Sequence, residues 1–290
     1  MIHRIVVVSM LSVLMLISVA CNKHQNQSIV ESNKGVRAYQ AQLYYRAEKH
    51  FRKALDFWND NDTAHYYMGM LFFHHFKNVD RGIEHLLKAI LLVPKDPDYH
   101  YQLGLAYMRK KDLNKALATF QKTVQTDPDY YEAYFRMGRI YLKQEKWNDA
   151  QNAFRKSAEI NPKYERAFDE LAELYYRFEK FQAAVDVLNE AIRFNANDVR
   201  ALNLLGLIYL NLKRYKSAVD VFNQAYERDP GNDQVVFNLG FAYYLAENRK
   251  QAVRHLQKFI SRVKGKAPMK AMQQQAQFLI EKIRDELARE

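Results

Sequence analysis

The chain has 290 residues, 48% of them hydrophobic, which is enough apolar matter for a sizeable core. Lys and Arg total 44 against 33 Asp and Glu, a formal +11, and a single cysteine excludes disulfides within the chain. The sequence carries no nucleotide-binding loop, no nucleophile elbow and no zinc-protease helix, so neither an enzyme nor a cofactor nor a small-molecule substrate is expected.

Residues 1–20 differ from all that follows. Met1 to Arg4 form a short, weakly positive start, and Ile5 to Ala20 are apolar or small without a charge. That run is short for a membrane-spanning helix. It leads into Ile17-Ser18-Val19-Ala20-Cys21, which resembles a bacterial lipoprotein signal, and Cys21 is the only cysteine of the chain. The resemblance implies cleavage before Cys21, a diacylglycerol on its sulfur and an amide-linked acyl chain such as palmitate. An ordinary cleaved leader and an uncleaved anchor are the alternatives. Asn22, where an aspartate would favour inner-membrane retention, points to the periplasmic face of the outer membrane. Residues 21–34 read as the lipidated cysteine and a polar tether.

From residue 28 a unit of 34 residues recurs, as 28–61, 62–96, 97–130, 131–164, 165–198, 199–232 and 233–266. The first copy is degenerate, with Gly35, Ala47, Phe51 and Ala54 in register but Glu31 and Lys34 where apolar groups are wanted, as suits a polar outer face. The second holds one extra residue, assigned to the turn in FHHFKNVD. Small residues recur at Gly69, Gly104, Gly138, Ala172, Gly206 and Gly240, where a larger side chain would hold two helices apart. Ala116, Ala150, Ala184, Ala218 and Ala252 do the same on a second helix. Tyr107 and its equivalents fill the space between helices, Phe120, Phe154, Leu188, Phe222 and Leu256 are expected against the neighbouring unit, and Pro128, Pro162 and Pro230 are expected to end second helices. Residues 267–290 read as one more helix, opening at Pro268 and apolar along Met269, Met272, Ala276, Leu279, Ile283 and Leu287.

The period and these positions resemble the tetratricopeptide repeat. The resemblance implies an all-α fold, a right-handed superhelical solenoid of about seven helix hairpins with a C-terminal capping helix. It implies that positions 2, 5, 9, 12 and 13 of each repeat face a concave groove. Those positions give Tyr66, Met70 and Phe73; Tyr101, Leu105 and Met108; Phe135, Arg139, Leu142 and Lys143; Arg166, Asp169, Glu173, Tyr176 and Arg177; Arg200, Asn203, Leu207 and Leu210; and Phe237, Phe241 and Tyr244. The reading is a groove with apolar walls at both ends and a charged middle, fit for an amphipathic helix or an extended apolar segment. Phe135→Glu with Leu207→Glu is then expected to abolish capture and spare the fold. The Lys/Asn set that clamps a chaperone's C-terminal carboxylate in some relatives is lacking.

His65, His74, His75, His85 and His100 lie close in sequence but lack metal-ligand spacing, and read as surface histidines near helix ends. The positive charge reads as a solvated face spread over the array; outside the cytosol its natural partners are anionic lipid or cell-wall polymer rather than nucleic acid. A lipid-anchored array of such repeats resembles the type IV pilus pilotins, which implies a secretin as partner. The alternatives are an adaptor that gathers peptidoglycan hydrolases and synthases, or a subunit of a transport or gliding machine.

Overall fold

The structure, a computed structural model, describes residues 22–289. Residues 1–20, expected to be a leader, and Cys21, expected to be lipidated, lie outside the described residues. Every described element is helical: α1 (22–40), α2 (Tyr44–Phe57), α3 (Asp62–Met70) with a π turn at Leu71–His75, α4 (Val79–Leu92), α5 (Pro97–Arg109), α6 (Leu113–Thr126), α7 (Tyr131–Lys143), α8 (Trp147–Ile160), α9 (Glu165–Arg177), α10 (Phe181–Phe194), α11 (Val199–Asn211), α12 (Tyr215–Arg228), α13 (Asp233–Leu245), α14 (Arg249–Val263) and α15 (Lys270–Leu287). The odd-numbered helices up to α13 are the first helices of seven successive pairs. The chain forms two compact units, one up to Ile140 and one from Tyr141, with the boundary inside α7.

The turn inside each pair is the same device repeated. One residue takes a left-handed conformation, at Gln42, Lys77, Lys111, Glu145, Glu179, Lys213 and Glu247, with φ between 55° and 65°. The next backbone N–H then closes on a carbonyl five residues back in six of the seven, as Asp112 on Tyr107 at 3.0 Å and Arg214 on Tyr209 at 2.8 Å, and six back at Asn78, on Phe72 at 2.8 Å. This satisfies an orphan carbonyl at the end of the first helix. No glycine stands at these positions, so each copy carries the modest cost of a non-glycine left-handed residue.

Close approach of the paired helices rests on a glycine against a ring or a leucine. A Cβ on Gly104 would lie 2.6 Å from the Phe120 ring, one on Gly206 2.6 Å from Phe222, and one on Gly35 2.5 Å from Phe51. Phe120 and Phe222 therefore pack against the first helix of their own pair, and Phe222 also shares a core cluster with Leu239 and Ala242 of the next pair, the neighbour contact expected from the sequence.

The stops of the second helices are not made by proline. α6, α8 and α12 end at Thr126, Ile160 and Arg228, two residues before Pro128, Pro162 and Pro230. In between, Asp127, Asn161 and Asp229 accept a hydrogen bond from the backbone N–H two residues on, at 2.9–3.1 Å. Asn195 does the same for Asn197 at 3.0 Å, and α10 stops in the same way although Ala196 stands where the others have proline. The side-chain turn is the signal, and proline only follows it.

Three expectations are corrected. Residues 22–34, read as a tether, are helical and continue to residue 40. Their anchor is polar: the Ser28 hydroxyl donates to the Ala54 carbonyl at 2.7 Å and accepts from the Asn61 amide at 2.9 Å, while Asn61 caps α3. Glu31 is buried rather than on an outer face, held by Lys34 and His50 at 2.8 Å each and Lys53 at 3.4 Å. The extra residue of the second repeat is absorbed upstream of the turn, where the first helix widens to a π turn and the Phe76 N–H reaches the Leu71 carbonyl at 2.9 Å.

At the C-terminus Pro268 sits in a short 3-10 turn (Ala267–Met269) ahead of α15. α15 buries Ala276, Leu279, Ile280 and Ile283 against the core around Phe237, Leu256 and Phe259. Leu287, placed in the apolar stripe by spacing, is exposed, and Ile280 takes its share of the contact.

Candidate functional site

The first helices carry the expected groove positions, but burial divides them. In the first unit Phe73, Tyr101 and Phe135 are buried, Phe135 to 2% exposure, and belong to the core. Arg109 lies over the Phe73 ring at 5.5 Å and donates to its carbonyl at 3.0 Å. Tyr101 packs 5.6 Å from Phe120 and 4.9 Å from Tyr130. Phe135→Glu would therefore put a carboxylate into the core, so the pair of substitutions expected to spare the fold does not. Tyr66, Met70, Leu105 and Met108 are half-buried and Arg139 is exposed. Tyr66 stacks on Tyr99 at 4.7 Å, and burial pushes its phenol above the usual range. The surface this unit offers is thus an apolar strip of two methionines, a leucine and a tyrosine.

The second unit offers a different surface. Between α9, α11 and the start of α13 lies a cleft of about 460 Å³ lined by Asp169, Glu173, Arg200, Asn203, Leu207 and Asn232, among others. Arg200 pairs with Asp169 at 3.3 Å and Glu173 at 3.8 Å. Burial raises the Asp169 carboxyl to about 6, against the pull of Arg200 and with help from Asp198 and Glu173. The Asn238 amide donates to the Asn203 carbonyl oxygen at 2.8 Å, and the Asn211 amide to the Tyr176 hydroxyl at 3.0 Å. Leu142, Tyr176, Asn203, Leu207 and Leu210 are half-buried, while Lys143, Arg166, Glu173, Arg177 and Arg200 are exposed. Phe237 is buried, and Phe241 and Tyr244 are half-buried against the cluster that includes α15, with the Lys282 ammonium 5.5 Å from the Tyr244 ring centroid. The apolar wall expected at this end is largely taken up by the C-terminal helix.

The histidines are not all on the surface. His65 and His100 are buried, and their Nε2–H groups donate to the carbonyls of Asn59 and Pro94 at 2.9 Å. With Nε2 committed as donor, His65 Nδ1 accepts from His85 Nδ1–H at 3.0 Å. Burial holds both rings of this pair below the ordinary histidine range. Among the described residues no group of three or more His, Cys, Asp or Glu side chains could hold a metal ion. No described helix is long and apolar enough to cross a membrane. Residue type did not signal this division: the buried positions are Phe73, Tyr101, Phe135, Phe237 and Asp169, while the half-buried ones include the aromatics Tyr66, Tyr176, Phe241 and Tyr244 beside Met, Leu and Asn.

Solved structures share this arrangement. YrrB, described as a tetratricopeptide repeat protein with an unusual peptide-binding site, is 25% identical, with a TM-score of 0.56 over 67% of this chain and 98% of that one. Pseudomonas aeruginosa PilF is 18% identical, with a TM-score of 0.59 over 73% and 96%. PilW, described as a widely conserved type IV pilus biogenesis factor, is 20% identical, with a TM-score of 0.56 over 72% and 96%. The likeness to PilF and PilW is one of fold. No curated protein sequence matches the chain. The sequence profile of the tetratricopeptide repeat protein 21 C-terminal ARM domain matches residues 83–264, more than half of the chain, and the protein belongs to that family of helical repeats.

Proposed function

We propose that the chain is a non-enzymatic scaffold that binds protein segments along its first helices. The observation that carries this reading is the half-exposed strip that recurs there, with Met70, Leu105 and Met108 in the first unit and Asn203, Leu207 and Leu210 in the second. Apolar side chains left partly uncovered at a regular spacing suit the anchors of an amphipathic helix or an extended segment. Asn203, in the cleft, presents an amide suited to a peptide backbone. The described binding of peptide by YrrB supports the class of partner.

The finer reading is that Cys21 carries a lipid, that the protein stands at the periplasmic face of the outer membrane, and that it assists assembly of a pilus secretin. It is supported by a lone cysteine behind an apolar leader and by a fold shared with PilW, a pilus biogenesis factor. Deleting the gene, and separately replacing Cys21 by Ala, tests it. Loss of surface pili together with loss of secretin multimers is the expected result in both strains. Intact multimers in the deletion strain would end the pilus reading and leave the scaffold reading standing.

A further inference from the structure

The positive charge is not spread evenly. Between residues 22 and 57 seven lysines and arginines stand against three carboxylates, an excess of four out of the chain's eleven in about an eighth of its length. These residues are the α1–α2 hairpin. Of its three acids, Glu31 is buried among Lys34, His50 and Lys53, and Glu48 is engaged by Arg52 at 2.6 Å, which leaves Asp56 near the end of α2.

One side of the hairpin gathers five of the seven cations, Lys34 and Lys53 among them although both also engage Glu31. Lys23, Val30, Lys34 and Arg37 follow at helical spacing along α1, and Arg46, His50, Lys53 and Phe57 along α2. Two open clefts lie on this side. One, of about 560 Å³, is lined by Lys34, Arg37, Leu43, Arg46 and His50 with two alanines. The other, of about 620 Å³, includes Lys23, Val30, Lys53 and Phe57. Val30 is 52% exposed, and Leu43 and Ile29 are exposed as well. α2 begins at the first cleft with no side-chain cap and no acid in its first turn, so its amide end adds partial positive charge there. Lys23, Arg37 and Arg46 have no carboxylate partner among the described residues. Elsewhere some basic residues are paired across helices: Lys110 meets Asp80 at 2.5 Å, and Arg262 and Lys266 share Asp233 at 3.0 and 2.7 Å.

We propose that this face of the α1–α2 hairpin docks on an anionic phospholipid surface, its cations on the headgroup phosphates and Val30, Leu43 and Phe57 at the acyl boundary. Charge selects the occupant: a surface of five lysines and arginines with apolar residues between them matches phosphate headgroups over a hydrocarbon layer better than it matches an apolar peptide. α1 is described from residue 22, so the face begins one residue after Cys21. The docking does not depend on an acyl chain there, but such a chain would enter the same membrane from the same end. The bilayer would then be met by the hairpin's outer side, leaving the strip on the first helices for protein.

The test is competition between two vesicle populations in one tube, neutral phosphatidylcholine and the same lipid with about one-third phosphatidylglycerol, using the full-length protein. An acyl chain would contribute equally to both, and comparison of the two triple variants separates this face from the rest of the chain's charge. Each basic residue near an anionic surface is worth roughly five-fold in partition, so the wild type should prefer the anionic vesicles by at least about ten-fold at 0.1 M salt and lose most of that preference at 0.5 M. Lys23→Glu with Arg37→Glu and Arg46→Glu should abolish the preference while the thermal melt stays put. Lys163→Glu with Arg214→Glu and Lys216→Glu, which changes the net charge equally in the second unit, should retain it. Equal distribution of the wild type, or equal loss in both triple variants, would overturn the proposal. So would tight binding of a single-stranded oligonucleotide that the first triple variant loses, in the absence of any vesicle preference.

Discussion

Glu31 in the first unit and Asp169 in the second are each only 6% exposed, but Asp169 lies far deeper among protein atoms, and their carboxyls are shifted in opposite directions. Glu31 is held at about 2, first by hydrogen bonds from Lys34 and His50, which outweigh the cost of burial. Asp169 is raised to about 6, because burial outweighs the single pull of Arg200 and neighbouring carboxylates add to it. Depth below the surface and the number of cations within reach together set the direction of the shift. Where three partners converge, the charge is a tie between helices α1 and α2. Where one exposed arginine faces two acids, burial keeps the carboxyl high despite the pair.

The largest effects should break this contrast at its packing base, where the two units are alike. Gly104→Leu in the first unit and Gly206→Leu in the second each drive a side chain into a phenylalanine ring, and each should cost about 3 kcal/mol or more. Circular-dichroism melts of the two variants check this, and a cost confined to one unit would show that the repeats do not share one lock. Phe135→Glu should be as damaging, whereas Leu207→Glu, at a half-exposed position, should change stability by less than about 1 kcal/mol.

Smaller effects sharpen the carboxylate contrast. Glu31 has a lowered carboxyl, so its stabilisation is present above the unfolded value near 4.5 and is lost as pH falls toward 2. Glu31→Gln should cost about 2 kcal/mol at pH 7 in urea titrations, discounted for half-exposed lysine partners, and the difference should fade below pH 4. Asp169 has a raised carboxyl, so the folded state is favoured when it is protonated and stability is lost as pH rises through about 6. Asp169→Asn should therefore gain about 1 kcal/mol at pH 7.5, with no gain at pH 4. A loss at both pH values would show that the Arg200 pair outweighs burial.

The smallest effect concerns the pair of His65, buried, and His85, half-buried. Both rings are held below the ordinary range, so the unfolded chain binds more protons and the first unit should lose stability as pH falls below about 6.5. Hydrogen exchange at pH 7 and pH 5, corrected for intrinsic rates, should show protection falling around α3 and α4 but not around α9 and α11. His85→Phe, which keeps the stack on Phe72, should remove most of that difference.

What the sequence disclosed follows from how strongly each signal is tied to steric necessity. The period, the small residue opposite a ring and the paired helices were legible because only a few residue types satisfy those contacts, as at Gly104 and Phe120. The start of the first helix at 22–27 was not, because the buried stripe that follows is Ser28, Ser32, Gly35 and Ala38, whose hydroxyls and small sizes leave no apolar periodicity to extend upstream. The site of the extra residue in the second repeat was missed because a helix can widen by one residue as readily as a loop can lengthen. The candidate groove was half legible: Met70, Leu105, Leu207 and Leu210 do present surface, but at Tyr101, Phe135 and Phe237 a large ring reaches the next helix and closes the surface over itself.

Capture of an envelope partner by the strip on the first helices tests the scaffold account most directly. Full-length protein, solubilised and mildly crosslinked, would be compared with Leu105→Glu/Met108→Glu in the first unit and Leu207→Glu/Leu210→Glu in the second. The account predicts that the wild type captures a defined outer-membrane subunit, a secretin on the pilus reading, and that at least one folded double variant loses it by ten-fold or more. Undiminished capture by both folded variants would contradict it.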